Sequence, residues 1–226
     1  MAQDSLPQTS ASPLPTGRRH QAPVSPAQGA PARTQAFVEK SRAELEALAQ
    51  EGLVMAGNSF SSVLFLKCER SSVDASSADD ATSFPDSADV GAPAPLPLSG
   101  EDGRALRASL VALGYAPEDW VALSTLTDDG SPLYPMQLRR AICALDPQTV
   151  VACDAPSAQL LRETYAEELP DLQDLSQAML DEGVVAQVLG MRLMNLGDFA
   201  AALPDPHQKQ VMWARLKKLR PLGEPY

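Results

Sequence analysis

The chain has 226 residues, with 18 Lys and Arg against 29 Asp and Glu, a net charge of −11. That length accommodates one α/β domain of ordinary size plus additional chain, and the acidic balance excludes a broadly basic nucleic-acid-binding surface. Three cysteines, Cys68, Cys143 and Cys153, have neither CxxC spacing nor an even count, so no disulfide framework and no metal site is expected. No apolar run reaches the roughly eighteen residues of a membrane span. The first residues lack the apolar core of a secretory signal, leaving a reducing cytoplasm as the expected location.

Residues 1–33 carry Pro7, Pro13, Pro15, Pro23, Pro26 and Pro31 among Ser, Gln and Ala. Such a stretch cannot offset its ordering entropy and is expected to be a disordered tail; a single folded domain is expected over 34–226. A helix is predicted from Thr34 to Gly52, with Phe37, Leu45 and Leu48 on one face. Gly57-Asn58-Ser59 reads as a turn into the first strand, Ser62–Glu69, an apolar run that ends abruptly in charge as a fully buried parallel strand does at a ligand crevice. Residues 70–97 follow as an acidic low-complexity loop with Asp74, Asp79, Asp80, Asp86 and Asp89.

Ser99 is predicted to N-cap a helix with Asp102 at its third position, Leu106, Leu110 and Leu113 on the inner face and Gly114 as its stop. A strand at Trp120–Ser124, a turn at Thr127–Ser131 and a helix from Pro135 come next. Thr149–Cys153 is a third strand, and Asp154 should cap the helix after it. Glu167–Glu182 is expected to be helical. Two short strands, Val184–Leu189 and Arg192–Leu196, flank Gly190, and a last helix opens with Asp205 as cap and Pro206 at its first position. Strands alternating with helices imply parallel pairing through right-handed crossovers. The predicted class is α/β, a three-layer α/β/α sandwich on a mainly parallel four-stranded sheet.

The outgoing strand ends place Lys67, Cys68, Ser124 and Asp154 around one crevice, with Glu69 as the group able to orient water or act as a base. Read blandly, Lys67 and Glu69 are a solvated strand end, Cys68 and Cys153 are small buried fillers, and Asp154, Asp198 and Asp205 are helix caps. Lys209, Arg215, Lys217 and Lys218 cluster on the last helix, either complementing its C-terminus or making a modest phosphate-contacting patch.

This order of elements resembles the uracil-DNA glycosylase superfamily, most nearly its iron–sulfur branch, over roughly Gly57 to Leu219. Pro97-Leu98-Ser99-Gly100 with Gly103, Leu106 and Leu110 is similar to the family's "PFVGRAG-LL" segment. Tyr115 to Val121 resembles the link and strand after it, Asp146 to Ala152 the "I-P-VIVALG" strand, and Arg192 through Trp213 to Leu219 the closing strand, loop and helix. The resemblance implies a DNA-repair fold that hydrolyses an N-glycosidic bond on a flipped base. The positions that carry the chemistry depart from it. The family's glycine-rich first turn is Lys67-Cys68-Glu69-Arg70-Ser71, its second-strand Asn falls at Ser124, and its HPS loop falls at Asp198-Phe199-Ala200. Asp198 in place of the family histidine sets negative charge against the departing anion. Asp128 stands where a cluster cysteine would lie and Cys143 alone is near a ligand position, so no iron–sulfur cluster or other cofactor is expected.

The expected function is therefore a uracil-DNA-glycosylase-like domain with lost or altered base excision. The alternatives are an active DNA-repair glycosylase with a rearranged site at Glu69 and Asp198, and an interaction module acting through the tail and the acidic loop. Binding of a small nucleobase is a third reading. Weak DNA contact and a protein partner on the disordered segments are the expected associations.

Overall fold

The computed structural model describes residues 26–68 and 96–222. The chain divides into two units, Met1–Phe37 and Val38–Tyr226. Helix α1 (Pro26–Gln50) begins well before Thr34, with a proline in its first turn, where the missing N–H costs nothing. Glu69 and most of the 70–97 segment lie outside the described residues, as do residues 1–25.

In the second unit six strands form one mixed sheet in the order β1-β3-β2-β4-β6-β5. The strands are β1 (Leu53–Gly57), β2 (Val63–Lys67), β3 (Val121–Thr127), β4 (Thr149–Ala152), β5 (Val185–Val188) and β6 (Met191–Asn195). β2 runs parallel to both β3 and β4, and β4 runs parallel to β6. β1 and β5 close the two edges antiparallel. The expected α/β class holds, but the four-stranded sheet does not. β1 was not anticipated, because Leu53–Gly57 is a short, half-exposed run behind a helix and lacks the continuous burial that marks β2. β5 is a hairpin return through Gly190 and adds the second antiparallel edge.

Helices cover both faces. Side chains alternate along each strand, so Leu64, Leu66, Leu123 and Val150 meet α1, α3 (Pro135–Leu145) and α4 (Ala155–Thr164) through Leu48, Ile142 and Leu161. Val63, Phe65, Ala122 and Val151 meet α2 (Glu101–Leu113), α6 (Phe199–Ala202) and α7 (Pro206–Leu216) through Leu106, Phe199 and Met212. β2, with neighbours on both edges and cores on both faces, is buried from Val63 to Leu66. Truncating Phe65 to Ala is worth on the order of 3–5 kcal/mol at such a site.

Two local expectations are corrected. Glu167–Glu182 is not one helix: Pro170 lacks an N–H, and the stretch breaks into a 3-10 turn at Leu169–Asp171 and the single turn α5 (Leu175–Ala178), restarted by the Asp174 cap. Ser99 does not cap α2. Gly100 is the N-cap, and having no side chain it makes no side-chain cap bond, while Asp102 in the first turn pairs with Lys67. The loop before α2 lies so close that a Cβ on Gly103 would sit 1.8 Å from the Leu98 carbonyl oxygen; only glycine admits that approach.

At the incoming end of the sheet, Arg192 of β6 is 6% exposed. Its Nη2 donates to the Thr149 and Tyr115 hydroxyls at 2.7 and 3.2 Å, and its Nη1 to the Arg220 carbonyl at 2.9 Å. The Tyr115 hydroxyl donates in turn to the Leu219 carbonyl at 2.5 Å. The residues after α7 are thus fastened to the sheet. Among the described residues, no helix is long and apolar enough to cross a membrane.

Candidate functional site

The outgoing ends of β2, β4 and β6 lie side by side, as parallel pairing requires. The Cys153 N–H donates to the Leu66 carbonyl at 3.0 Å, the Leu196 N–H to Ala152 at 2.8 Å and the Phe199 N–H to Cys153 at 3.1 Å. These bonds hold the loop after β6 against the end of β4. Beyond them opens a cleft of about 630 Å³, bounded by Lys67, Asp102 and Ala105 on one side and by Ala200, Leu203 and Lys209 on the other.

Lys67 continues the strand face of Val63 and Phe65, so its stem lies in the apolar core beneath α2 while its ammonium reaches the first turn of that helix. There it makes an ion pair with Asp102. The two side chains are 17% and 10% exposed, which corrects the reading of Lys67 as a solvated strand end. In a pair this enclosed the mutual attraction is little screened and offsets the cost of desolvation, and removing one partner leaves a charge with little water. Asp102 is the functional residue that sequence reasoning missed: its helical position suggested a cap, and nothing local signals a partner thirty-five positions away.

Asp154 has two duties. One carboxylate oxygen accepts the Ser157 N–H at 2.8 Å and so caps α4; the other accepts the Cys68 N–H at 2.7 Å. The end of β2 is therefore fixed to the start of α4 through one side chain. Ser124 lies beside Lys67 in the β2–β3 register, but it is 4% exposed and its hydroxyl accepts the Leu126 N–H of its own strand at 3.0 Å. Cys68 is half-buried. Cys153 is enclosed in the core below the cleft, and burial, reinforced by the nearby Asp154 charge, pushes its thiol well above the ordinary range. It stays a neutral thiol at physiological pH and is no nucleophile.

Asp198 is exposed and accepts the Ala201 N–H at 3.0 Å, capping α6. Its loop is shaped by Gly197, whose φ is +87° and whose Cβ would lie 2.6 Å from Arg215 Nη1. Arg215 pairs with Glu182 at 2.8 Å and donates to the Leu196 carbonyl at 2.6 Å. Lys218 donates to the Gly183 carbonyl at 2.6 Å. Of the four expected phosphate-contacting residues, these two are committed to the fold, while Lys209 and Lys217 are exposed and only Lys209 lines the cleft. His207 is exposed in the first turn of α7, where its N–H meets the Asp205 cap.

The cleft thus brings together Lys67, Glu101, Asp102 and Lys209, with Ala105, Ala200, Leu203 and Pro204 as its apolar wall. It can orient a polar group between a neutralised lysine and an open one. Among the described residues it offers no histidine, and no cluster of three His, Cys, Asp or Glu able to hold a metal ion. The chain matches no protein-family model and no curated protein sequence.

Proposed function

We propose that this chain is a uracil-DNA-glycosylase-like domain whose base-excision chemistry has been lost, leaving a cleft that binds without cutting. The observation that carries the reading is the Lys67–Asp102 pair inside the cleft. Expelling a base as an anion needs positive charge or donors pre-aimed at that anion. Among the described residues at the strand ends, the largely enclosed Lys67 is already answered by a carboxylate. Asp198, standing where the resemblance puts a histidine, adds negative charge at the margin and is occupied as a helix cap. The central strands, with helices on both faces and the cleft at their outgoing ends, accord with a three-layer arrangement of that kind.

The reading includes no iron–sulfur cluster. Cys143 is exposed on α3, while Cys68 and Cys153 lie at the strand ends; these positions do not fit a set of thiolates converging on one cluster. Three free cysteines accord with a reducing cytoplasm as its setting. DNA contact in this reading is weak, since only Lys209 and Lys217 of the basic set remain available, and its salt dependence should be shallow.

The test is a uracil-release assay on single- and double-stranded uracil-containing DNA with the full chain. The expected result is no release above the protein-free control. Clear release that Glu69→Gln abolishes would overturn the reading in favour of a working glycosylase.

A further inference from the structure

The second cavity lies beside the cleft, between α2 and α7, and has a different chemistry. It is a groove of about 290 Å³ floored by Phe199, Ala202, Met212 and Leu216, with Ala105 and Ser109 on one wall and Trp213 on the other. Ala105 and Ser109 stand one helical turn apart, so α2 presents a small-residue strip at the place where bulky side chains would close the gap. The floor residues are buried, whereas the indole of Trp213 is 37% exposed. Ala105, Leu203 and Lys209 line both cavities, which makes one continuous trough with Lys209 at the junction.

Charge singles out this face. From Pro206 to Arg220 there is no acidic residue and there are five Lys or Arg, on a chain whose net charge is −11. Arg215 bonds to Glu182 and Leu196 and the Lys218 ammonium to the Gly183 carbonyl, while Lys209, Lys217 and Arg220 are exposed and Lys209 lines the groove. Among the described residues Lys209 is the one cation lining the groove, and a track for phosphates needs a run of cations. A lysine in the wall of an apolar groove suits a segment that sets apolar anchors at i, i+3/i+4 and i+7 between carboxylates.

We infer that the α2–α7 groove is a docking site for an acidic amphipathic helix of a protein partner, with Trp213 as the anchor and Lys209 as the charge that selects it. This does not rest on the glycosylase-like reading. Occupancy would place the partner at the mouth of the Lys67–Asp102 cleft, since the two cavities share a wall.

The probe is a fluorescein-labelled peptide of about 18 residues, five helical turns, with Leu at i, i+3/i+4 and i+7 and Glu on the flanks. A copy with every Glu replaced by Lys, and oligothymidylate of about 20 nucleotides, serve as comparisons. Anisotropy with the full chain should show binding of the acidic peptide alone, weakened about tenfold by Trp213→Ala, as loss of an interface anchor does. Lys209→Glu should weaken it roughly fivefold while improving binding of the Lys peptide. Both positions are exposed, and circular dichroism checks that each variant folds. No binding of the acidic peptide, or binding equal in wild type and both variants, overturns the proposal. So does oligothymidylate binding that the two variants abolish, which would give the groove to single-stranded nucleic acid.

Discussion

Two largely enclosed cations sit at opposite ends of the sheet and are satisfied by different chemistry. Lys67, at the outgoing end, is answered by one carboxylate at the edge of an open cleft. Arg192, at the incoming end, is answered by two hydroxyls and a carbonyl, and among the described residues by no carboxylate at all. The guanidinium presents a planar fork that several fixed neutral oxygens can fill together, whereas an ammonium is a compact charge satisfied by one opposite charge. The arginine joins β4, β6, the link before β3 and the chain after α7, so it is part of the framework. The lysine pair joins β2 to α2, beside space that a ligand can enter. One end of the sheet is built to be closed and the other to be approached.

The comparison is broken most forcefully at Arg192. Replacing it with Leu strips several charge-assisted hydrogen bonds and leaves Thr149 without them in a fully buried site, a loss of on the order of 3–5 kcal/mol. Arg192→Lys should recover less than half of that, since a single ammonium cannot reach all three acceptors. Urea denaturation of the three proteins measures both figures.

Asp102→Ala comes next, with a loss of about 3 kcal/mol from stranding the Lys67 charge. The double variant Lys67→Met, Asp102→Leu should return to within about 1 kcal/mol of wild type, because an apolar pair fills the same space without desolvating charge. If the double variant were as unstable as the single, the pair would be structural in the same sense as Arg192 and the contrast between the two ends would fail.

The smallest effect is in pH. Burial raises the Tyr115 hydroxyl above its ordinary value, with the Arg192 charge pulling in the opposite direction. Because the folded value lies above the unfolded one, this contribution is complete below the ordinary tyrosine range near 10 and is lost as pH rises through the folded value. The Tm should therefore fall between about pH 9 and 11, less steeply in Tyr115→Phe, which itself costs about 1 kcal/mol at neutral pH by losing the bond to Leu219. At the acid side the sign reverses. The Arg139 hydrogen bond holds the Glu168 carboxyl below its usual range, so that pair supports the fold at neutral pH and releases it as Glu168 protonates.

Much of the architecture was legible because it is local. Val63–Lys67 reads as a buried strand from composition alone, Asp154 and Asp205 announce the helices they cap, and Pro135 and Pro206 mark helix starts. β1 escaped because an edge strand half open to solvent carries no strong period. The 167–182 stretch was misread because weak helical spacing outweighed the break at Pro170. At the site, Lys67 and Asp154 were found from their places at strand ends. Asp102, Ala105 and Leu203 were not, since each is an ordinary helix residue until folding brings it to the cleft.

Taken alone, the residue order determined which segments are strands and helices, which faces of them are apolar, and that the strand ends carry polar groups. Those properties follow from side-chain volume, period and capping within a few positions of the chain. Only the tertiary structure decided that Lys67 meets Asp102, that Arg215 and Lys218 bond to Glu182, Leu196 and Gly183 while Lys209 stays open, and that a groove runs beside the cleft. Those outcomes depend on which charges are brought within reach in a dry environment, and on where small side chains face large ones across helices distant in sequence.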